Sequence, residues 1–297
     1  MLRMREAPSQ ASQENGSRTG AIASLHVAVL LFGFAGLFGK WIALPPAAIV
    51  FGRTTIAALA LGMLLALRRS PRDRFEWRLA ANGALLAVHW VAFFQAVQTA
   101  SVAIGLLGYA SFPLFVLPME ALLLRRRTRP SEWACAAIVA LGLSLLVPQF
   151  DIDNRIVHGV LWGVLSGFTF ALLALNNRTI ARRRNAEEIA FWQNACAAAC
   201  LLPALALAPA LPSAREIALL AILGLFCTAL AHTLFIRSLR TISTHAASVV
   251  ATLEPVYGIA LAALLLGEFP DGRTLAGAVL IVGATLWTTA QARAVVA

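Results

Sequence analysis

Charged side chains are scarce in this sequence, at only 13% of its 297 residues, and there are just two tyrosines and four cysteines. A water-soluble domain normally keeps about a quarter of its residues charged. Hydrophobic residues, by contrast, reach 60%. The shortage of charge excludes a soluble globular protein and predicts an all-α polytopic membrane protein.

The patterns of catalytic and cofactor-binding sites are also missing. Acids and histidines are scattered over different segments, without metal-ligand spacing or a nucleophile elbow. Gly39-Lys40 is no phosphate-binding loop, because the preceding glycine is out of register and Trp41 replaces the required Ser or Thr. Cys196 and Cys200 share a helix face but lack further ligands, which favours helix packing. We therefore predict no enzyme activity, no cofactor and no metal.

Apolar runs fill most of the chain, separated by short charged or Pro/Gly-containing breaks. A membrane-spanning helix needs about 20 residues. Ten runs approach this length, so we predict ten transmembrane helices. They lie at about 22–43, 46–67, 77–97, 101–123, 132–148, 157–177, 187–209, 215–236, 244–266 and 273–292.

The distribution of the 24 Lys and Arg residues predicts the orientation. With ten spans, most of them fall on one side of the membrane, from Arg3 through the clusters at 68–78, 125–129 and 178–184 to Arg293. The positive-inside rule makes that side cytoplasmic, together with both termini. The net charge of +10 is then a feature of topology, and we predict no nucleic-acid partner.

Residues 1–20 are polar and rich in Ser, Gln and Gly, which predicts a disordered cytoplasmic N-terminus. This stretch lacks the apolar core and cleavage site of a signal peptide, so we expect the first helix to be retained. The predicted division continues with a first five-helix repeat at 21–148, an extracytoplasmic linker at 149–157 and a second five-helix repeat at 158–293.

The division into two repeats is based on an internal duplication of the sequence. At an offset of 142 positions, Phe93–Ser101 lies over Phe235–Ser243 and Pro113 lies over Pro255. At 141, Gly142 lies over Gly283. Earlier in the two halves, Phe51-Gly-Arg53 more weakly resembles Phe191-Trp-Gln193. Because each half has five helices, an odd number, the halves must cross the membrane in opposite directions. Such inverted-topology repeats are typical of secondary transporters, whose substrate site lies near the midplane between the repeats.

The residues of this duplication also carry a family resemblance. They are Leu253-Glu254-Pro255, Leu264-Leu-Leu-Gly267-Glu268, Gly277 and Gly283, with a first-half counterpart from Pro113 to Arg127. With the topology, they resemble the drug/metabolite transporter superfamily and its EamA-type ten-helix branch over residues 21–293. Within that branch, the chain is similar to bacterial inner-membrane exporters of aromatic and other amino acids. The halves differ at Phe112, which stands where the second half has Glu254.

Two ionisable residues are the first candidates for a site. A carboxylate near the bilayer centre costs about 2.5–3.5 kcal/mol, so Glu254 should face the bundle interior or water. It could bind a substrate ammonium group, couple to protons, or serve as a structural cap beside Pro255. Arg53 lies inside a span and could bind a substrate carboxylate, pair with Glu254, or reach the interface by snorkelling.

Polar and aromatic residues complete the candidate substrate cavity. For His89 and for the polar residues of the fourth and ninth runs, an interhelical hydrogen bond is the alternative, and for Trp162 it is a place in the interfacial belt. Pro113 and Pro255 are candidate hinges, read as kinks within helices. The remaining predicted cavity residues are His89, Trp90, Tyr109, Ser111, Trp162, Gln193, Ser248, Thr252 and Tyr257.

The sequence thus predicts a secondary transporter, and the resemblance implies export of amino acids or related small metabolites across the bacterial inner membrane by alternating access. Its partners would be an amino-acid-like small molecule and the lipid bilayer, and we expect a monomer. A transporter of drugs, cations or other metabolites with the same fold is the main alternative. A membrane-embedded enzyme is a minor one.

Overall fold

The fold was analysed in a computed structural model that describes residues 10–69, 75–123, 129–147, 154–180, 183–205, 211–238, 241, 250–251 and 253–294. Within these ranges the ordered elements are helices. In chain order they are α1 (Gln10–Trp41), α2 (Pro46–Leu67), α3 (Trp77–Thr99), α4 (Val102–Tyr109), α5 (Phe112–Leu123), α6 (Pro130–Leu146), α7 (Arg155–Ile180), α8 (Ala186–Leu205), α9 (Ala214–Gly224), a π-helical turn (Leu225–Leu230), α10 (Ala231–Ser238), α11 (Glu254–Leu266) and α12 (Gly272–Ala294).

These helices confirm the prediction of an all-α polytopic membrane protein, because each of the ten apolar runs contains a helix. The fourth run is divided into α4 and α5, and the eighth consists of α9, the π turn and α10. In the described part of the chain, six helical segments are long and apolar enough to cross a membrane, and three more apolar helices are shorter. A count of ten spans stays a prediction.

The first helix begins earlier than the first repeat was predicted to begin. α1 starts at Gln10, inside the stretch 1–20 for which we expected disorder, and residues 1–9 lie outside the described part. Extending an existing helix adds one hydrogen bond for each residue that is fixed, so an apolar span readily continues into a polar flank.

The two repeats are interleaved through glycine contacts. α1 of the first repeat crosses α11 of the second, and a Cβ atom on Gly33 would lie 2.9 Å from the amide nitrogen of Gly258. In the related crossing of α4 with α7, a Cβ on Gly108 would lie 2.9 Å from Cα of Gly163. Such contacts between backbones need residues without side chains. Each repeat therefore contributes its first helix to a groove of the other.

The two duplicated prolines occupy the same place in their helices. Pro113 is the second residue of α5 and Pro255 the second residue of α11. Proline has no N–H and clashes with the carbonyl four residues earlier, but it fits the first turn of a helix. Pro113 follows a short interruption within the span from Val102 to Leu122, since α4 ends at Tyr109 and α5 begins at Phe112.

Polar contacts tie the helices together at their ends. At the predicted extracytoplasmic end, Lys40 Nζ lies 3.7 Å from Glu268 Oε1 and donates to the Ala100 carbonyl at 2.9 Å. Glu268 Oε2 also accepts from the Val102 amide at 3.0 Å. These contacts join the ends of α1 and α11 to the α3–α4 connection, so elements of both repeats meet there.

The predicted cytoplasmic end has ion pairs of its own. Arg184 donates to Glu188 at 3.0 Å and to Glu76 at 2.9 Å, linking the start of α8 to the start of α3. Arg68 at the end of α2 lies 3.7 Å from Glu187. Charged contacts thus link helices at both ends of the described bundle.

Candidate functional site

Arg53 lies at the centre of the molecule with only 1% of its surface exposed. α2 carries it, and its partners come from the π turn of the other repeat. Arg53 Nε donates to Thr228 Oγ1 at 2.9 Å, and Nη2 donates to the Cys227 carbonyl at 3.2 Å. The burial rules out the alternative in which Arg53 snorkels to the membrane interface.

The guanidinium of Arg53 also lies over an aromatic ring. Its central carbon is 4.0 Å from the ring centre of Trp90 and 5.5 Å from that of Phe94. The negative face of an aromatic ring attracts a cation, and desolvation strengthens the attraction. Trp90 in turn meets His232 edge to face at 6.1 Å. The buried charge is therefore held by neutral acceptors and a π system.

An aromatic wall continues from Trp90 along α3, α4, α5 and α7. The ring of Tyr109 lies 5.5 Å from His89, 5.8 Å from Phe112 and 5.1 Å from Phe170. His89 Nδ1 lies 3.0 Å from the carbonyl oxygen of Ser166 and 2.9 Å from its hydroxyl. His89 is thus oriented by α7, and its ring forms part of the aromatic wall.

Glu254 faces this wall from the second repeat. It is the first residue of α11 and only 6% exposed, and its carboxyl group lies near the Tyr109 hydroxyl. Arg53 is near enough to attract it electrostatically. Yet neither side chain forms an ion pair with any described residue. The alternative of a direct Arg53–Glu254 salt bridge therefore does not fit, and a basic and an acidic side chain lie near each other without an ion pair.

Gln193 was predicted to line the same cavity, but the structure places it in a separate polar cluster. Its amide donates to the Asn177 side-chain oxygen, which also accepts from Asn82 at 2.9 Å. Asn176 donates to Asn82 at 3.1 Å. Asn82, Asn177 and Gln193 are buried and join α3, α7 and α8 towards the predicted cytoplasmic end. Gln193 thus forms hydrogen bonds between helices in this network.

The remaining predicted residues show no contact with Arg53 among the described residues. Ser111 is buried beside Gly167, and its hydroxyl has no partner among the described residues. Tyr257 is half-buried, with its hydroxyl 3.4 Å from His26 Nδ1. Trp162 is 39% exposed on the outer surface, which fits the interfacial belt. Ser248 and Thr252 lie outside the described residues.

Sequence reasoning missed the residues that hold Arg53 and His89. Thr228, Cys227 and Ser166 are common residues in apolar runs and carry no pattern of their own. One signal was available in the duplication. Gly83 packs against the Gln193 carbonyl, and Gly224 packs against the Arg53 carbonyl, so the two glycines occupy equivalent places in the two repeats. They lie 141 positions apart, whereas Phe93 and Phe235 lie 142 positions apart.

Metal binding has no support in the described residues, where no three His, Cys, Asp or Glu side chains come together. The arrangement instead offers a cation, a carboxylate and several aromatic faces inside a membrane protein. Such a set can hold an amphipathic or zwitterionic small molecule.

Comparison with known proteins agrees with the duplicated architecture. The sequence matches the EamA-like transporter family over residues 19–147 and 157–290. It is 30% identical over 254 residues to the pseudopaline exporter of Pseudomonas aeruginosa (strain UCBPP-PA14), covering 82% of this chain and 86% of that protein. It is 29% identical over 178 residues to the S-adenosylmethionine uptake transporter of Rickettsia bellii, covering 60% of each. A solved crystal structure superposes with a TM-score of 0.70 over 93% of this chain and 99% of the other, and its 24% identity limits that likeness to the fold.

Proposed function

Because the chain belongs to the EamA-like transporter family, we propose that it is a secondary transporter that exports amino acids or related small metabolites across the bacterial inner membrane. The family establishes a membrane transporter of small molecules. The identity of the cargo, the outward direction of transport and the location in the inner membrane are proposals. The pseudopaline relative is an exporter and the S-adenosylmethionine relative an uptake transporter, so both directions of transport occur among similar proteins.

The observation that carries the proposal is a pair of buried ionisable side chains, Arg53 and Glu254, that form no ion pair with any described residue. Burying a charge is costly unless it is paired, and ionisable residues inside membrane proteins usually mark a substrate or ion pathway. Arg53 and Glu254 come from different repeats and face one aromatic wall. An amino acid carries a carboxylate and an ammonium group on one carbon, so it would supply a partner to each: its carboxylate to Arg53 and its ammonium group to Glu254.

The aromatic wall supports cargo with an apolar or aromatic side chain. Trp90, Tyr109 and Phe170 present large ring surfaces next to the charges. Ligand sites combine such surfaces with a few well-placed polar groups that fix orientation. Phenylalanine and tyrosine are therefore the first amino acids to test.

Alternating access would proceed by movement of the helices around this site. Pro113 and Pro255 begin α5 and α11, next to the site and directly after interruptions of the helical chain. Helix-terminal positions of this kind absorb backbone rotation in hinge motions. We assign both prolines the role of hinges, with opening at one end coupled to closure at the other.

A lipophilic cation is the second candidate cargo. It is favoured by one observation, which is that Glu254 lies near Tyr109, whose ring packs against Phe112 and Phe170, and forms no ion pair with a described residue. Aromatic faces together with a carboxylate bind organic cations. Arg53 opposes this cargo through its like charge.

The test is transport into proteoliposomes that contain only this protein. A panel of labelled amino acids, with phenylalanine and tyrosine included, is compared with tetraphenylphosphonium, each with and without an imposed pH gradient. We expect amino-acid transport that Arg53→Met and Glu254→Gln each lower at least about tenfold, the effect of losing one charge-assisted contact. Transport of tetraphenylphosphonium alone would replace the first cargo by the second, and failure of every amino acid would overturn it.

A further inference from the structure

The π turn at Leu225–Leu230 is an asymmetry between the two repeats. Before it, Gly83 and Gly224 are equivalent at an offset of 141, while after it Phe93 and Phe235 are equivalent at 142. A π turn accommodates one extra residue in a helix, and such turns are frequent at functional sites. The second repeat therefore carries a one-residue insertion at this turn, and the equivalent part of α3 is an unbroken α-helix.

The extra residue alters which groups face Arg53. Thr228 Oγ1 donates to the carbonyl of Leu223, five residues earlier, at 2.8 Å. Thr54 shows the ordinary α-helical pattern, donating four residues back to Val50. Because its own proton is committed to Leu223, the Thr228 hydroxyl presents a lone pair to Arg53 Nε. The neighbouring Cys227 carbonyl accepts from Nη2 of the same guanidinium.

We propose that the π turn is the positioning element of the binding site and that Thr228 is a specificity-determining residue acting through Arg53. Both acceptors in the turn are neutral, so they fix the guanidinium over Trp90 without cancelling its charge. Among the described residues, the Nη1 amino group donates to none. This amino group is the part of the guanidinium that can donate to an anionic group of the cargo. The hydrogen bonds from Nε and Nη2 to the π turn fix the direction in which it points. The choice of a carboxylate as that group rests on the proposed function, whereas the positioning of Arg53 does not.

The chain offers a matched control for this role. Thr233 lies in the same helical segment, and its buried hydroxyl has no partner among the described residues. Thr228→Val removes the acceptor of Arg53 Nε at nearly constant volume, and Thr228→Ser keeps it. Thr233→Val makes the same chemical change where Arg53 is not contacted.

The first measurement does not depend on cargo. In a background where every tryptophan except Trp90 is replaced by phenylalanine, Trp90 fluorescence reports on the guanidinium 4.0 Å away. Arg53→Met defines the spectrum without the contact. We expect Thr228→Val to shift the emission towards that spectrum, while Thr228→Ser and Thr233→Val keep the parent spectrum. Equal spectra for the two valine variants, with both proteins folded, would overturn the positioning role.

The second measurement is selectivity. In proteoliposomes, transport of phenylalanine is compared with that of phenylalaninamide, which lacks the anionic group. We expect Thr228→Val to reduce the preference for the carboxylate about tenfold, as for the loss of one charge-assisted hydrogen bond, and Thr233→Val to leave it unchanged. A spectral shift without any carboxylate preference in the parent protein would overturn the carboxylate assignment and the proposed function, yet leave Arg53 positioned by the π turn.

Discussion

The guanidinium carbon of Arg53 lies 4.0 Å from the ring centre of Trp90, which fixes a buried cation on an aromatic face between the two repeats. Arg53 belongs to α2 and Trp90 to α3, while the hydrogen-bond acceptors of Arg53 belong to the second repeat. A movement that separates the repeats must therefore break either the aromatic contact or the hydrogen bonds. This coupling makes the pair a sensitive reporter of the conformational cycle.

Replacing Trp90 should weaken the site in proportion to the π surface lost. A cation–π contact is worth about 0.5–2 kcal/mol, and Trp is the best partner. We expect Trp90→Phe to raise the KM for transported amino acid severalfold and Trp90→Leu to raise it further. The measurement is initial transport rate against concentration, with protein amount held equal. Equal KM values for the two variants would show that the aromatic face does not act on the cargo through Arg53.

The crossing of α1 with α11 should not tolerate a side chain. A Cβ on Gly33 would lie 2.9 Å from both the Glu254 carbonyl and the Gly258 amide, which are backbone atoms that cannot rotate away. Overpacking of this kind costs about 1–3 kcal/mol. We expect Gly33→Ala to lower the thermal unfolding temperature in detergent. Gly283→Ala is the control, because a Cβ there meets nothing within 4 Å and alanine favours the helix. An equal effect of both changes would contradict the close crossing.

The contacts of Glu268 should hold the predicted extracytoplasmic end closed. Its ion pair with Lys40 is partly exposed and worth only about 0–1 kcal/mol, but Glu268 also accepts from the Val102 amide. Glu268→Gln keeps an acceptor for that amide, whereas Glu268→Ala removes both contacts. We expect labelling of Ser101→Cys by a membrane-impermeant maleimide to rise in the order parent, Glu268→Gln, Glu268→Ala. Identical rates in the three backgrounds would exclude a closing role.

Stability should depend on pH through Asp271, which lies just before α12 and outside the apolar segment. Hydrogen bonds from the Thr274 side chain and amide lower the pKa of Asp271. A lowered folded-state pKa means stability that is present above the unfolded value, about 3.9, and lost as pH falls through the folded value. We expect Asp271→Asn, which keeps an acceptor but does not titrate, to flatten the decrease in unfolding temperature between about pH 5 and pH 3. A parent profile identical to that of the variant would contradict this.

The repeats and the helical class could be predicted because they depend on patterns that run through many residues. Apolar runs of bilayer length force helices, and Pro113 over Pro255 marks the duplication. The family resemblance was confirmed by matches in both halves. The inside–outside placement of the termini and the monomeric state stay predictions, since the bundle alone does not define a membrane side or a partner.

The site could be predicted only in part. Arg53, His89, Trp90, Tyr109 and Glu254 were found because charged and aromatic residues are conspicuous in apolar runs, and the structure brings them together. Trp162 is as conspicuous, and Gln193 is a polar residue in an apolar run, but both lie elsewhere. The rotation of a helix about its axis decides which way each side chain faces, and a helix that is apolar on all sides gives no sequence signal for that rotation. Thr228 was missed for the opposite reason, since only a one-residue change of helical register gives it a role.

The glycine crossings pack helices of the two halves directly against each other, so the halves are not separate domains. α1 packs on α11 at Gly33, and α4 packs on α7 at Gly108. Each half therefore buries helix faces of the other half. Each half chain made alone would expose the faces that the other covers, so the smallest folding unit is the whole chain or both halves together. Co-expressed fragments 1–150 and 151–297 should accordingly assemble into a stable complex that neither fragment forms with itself.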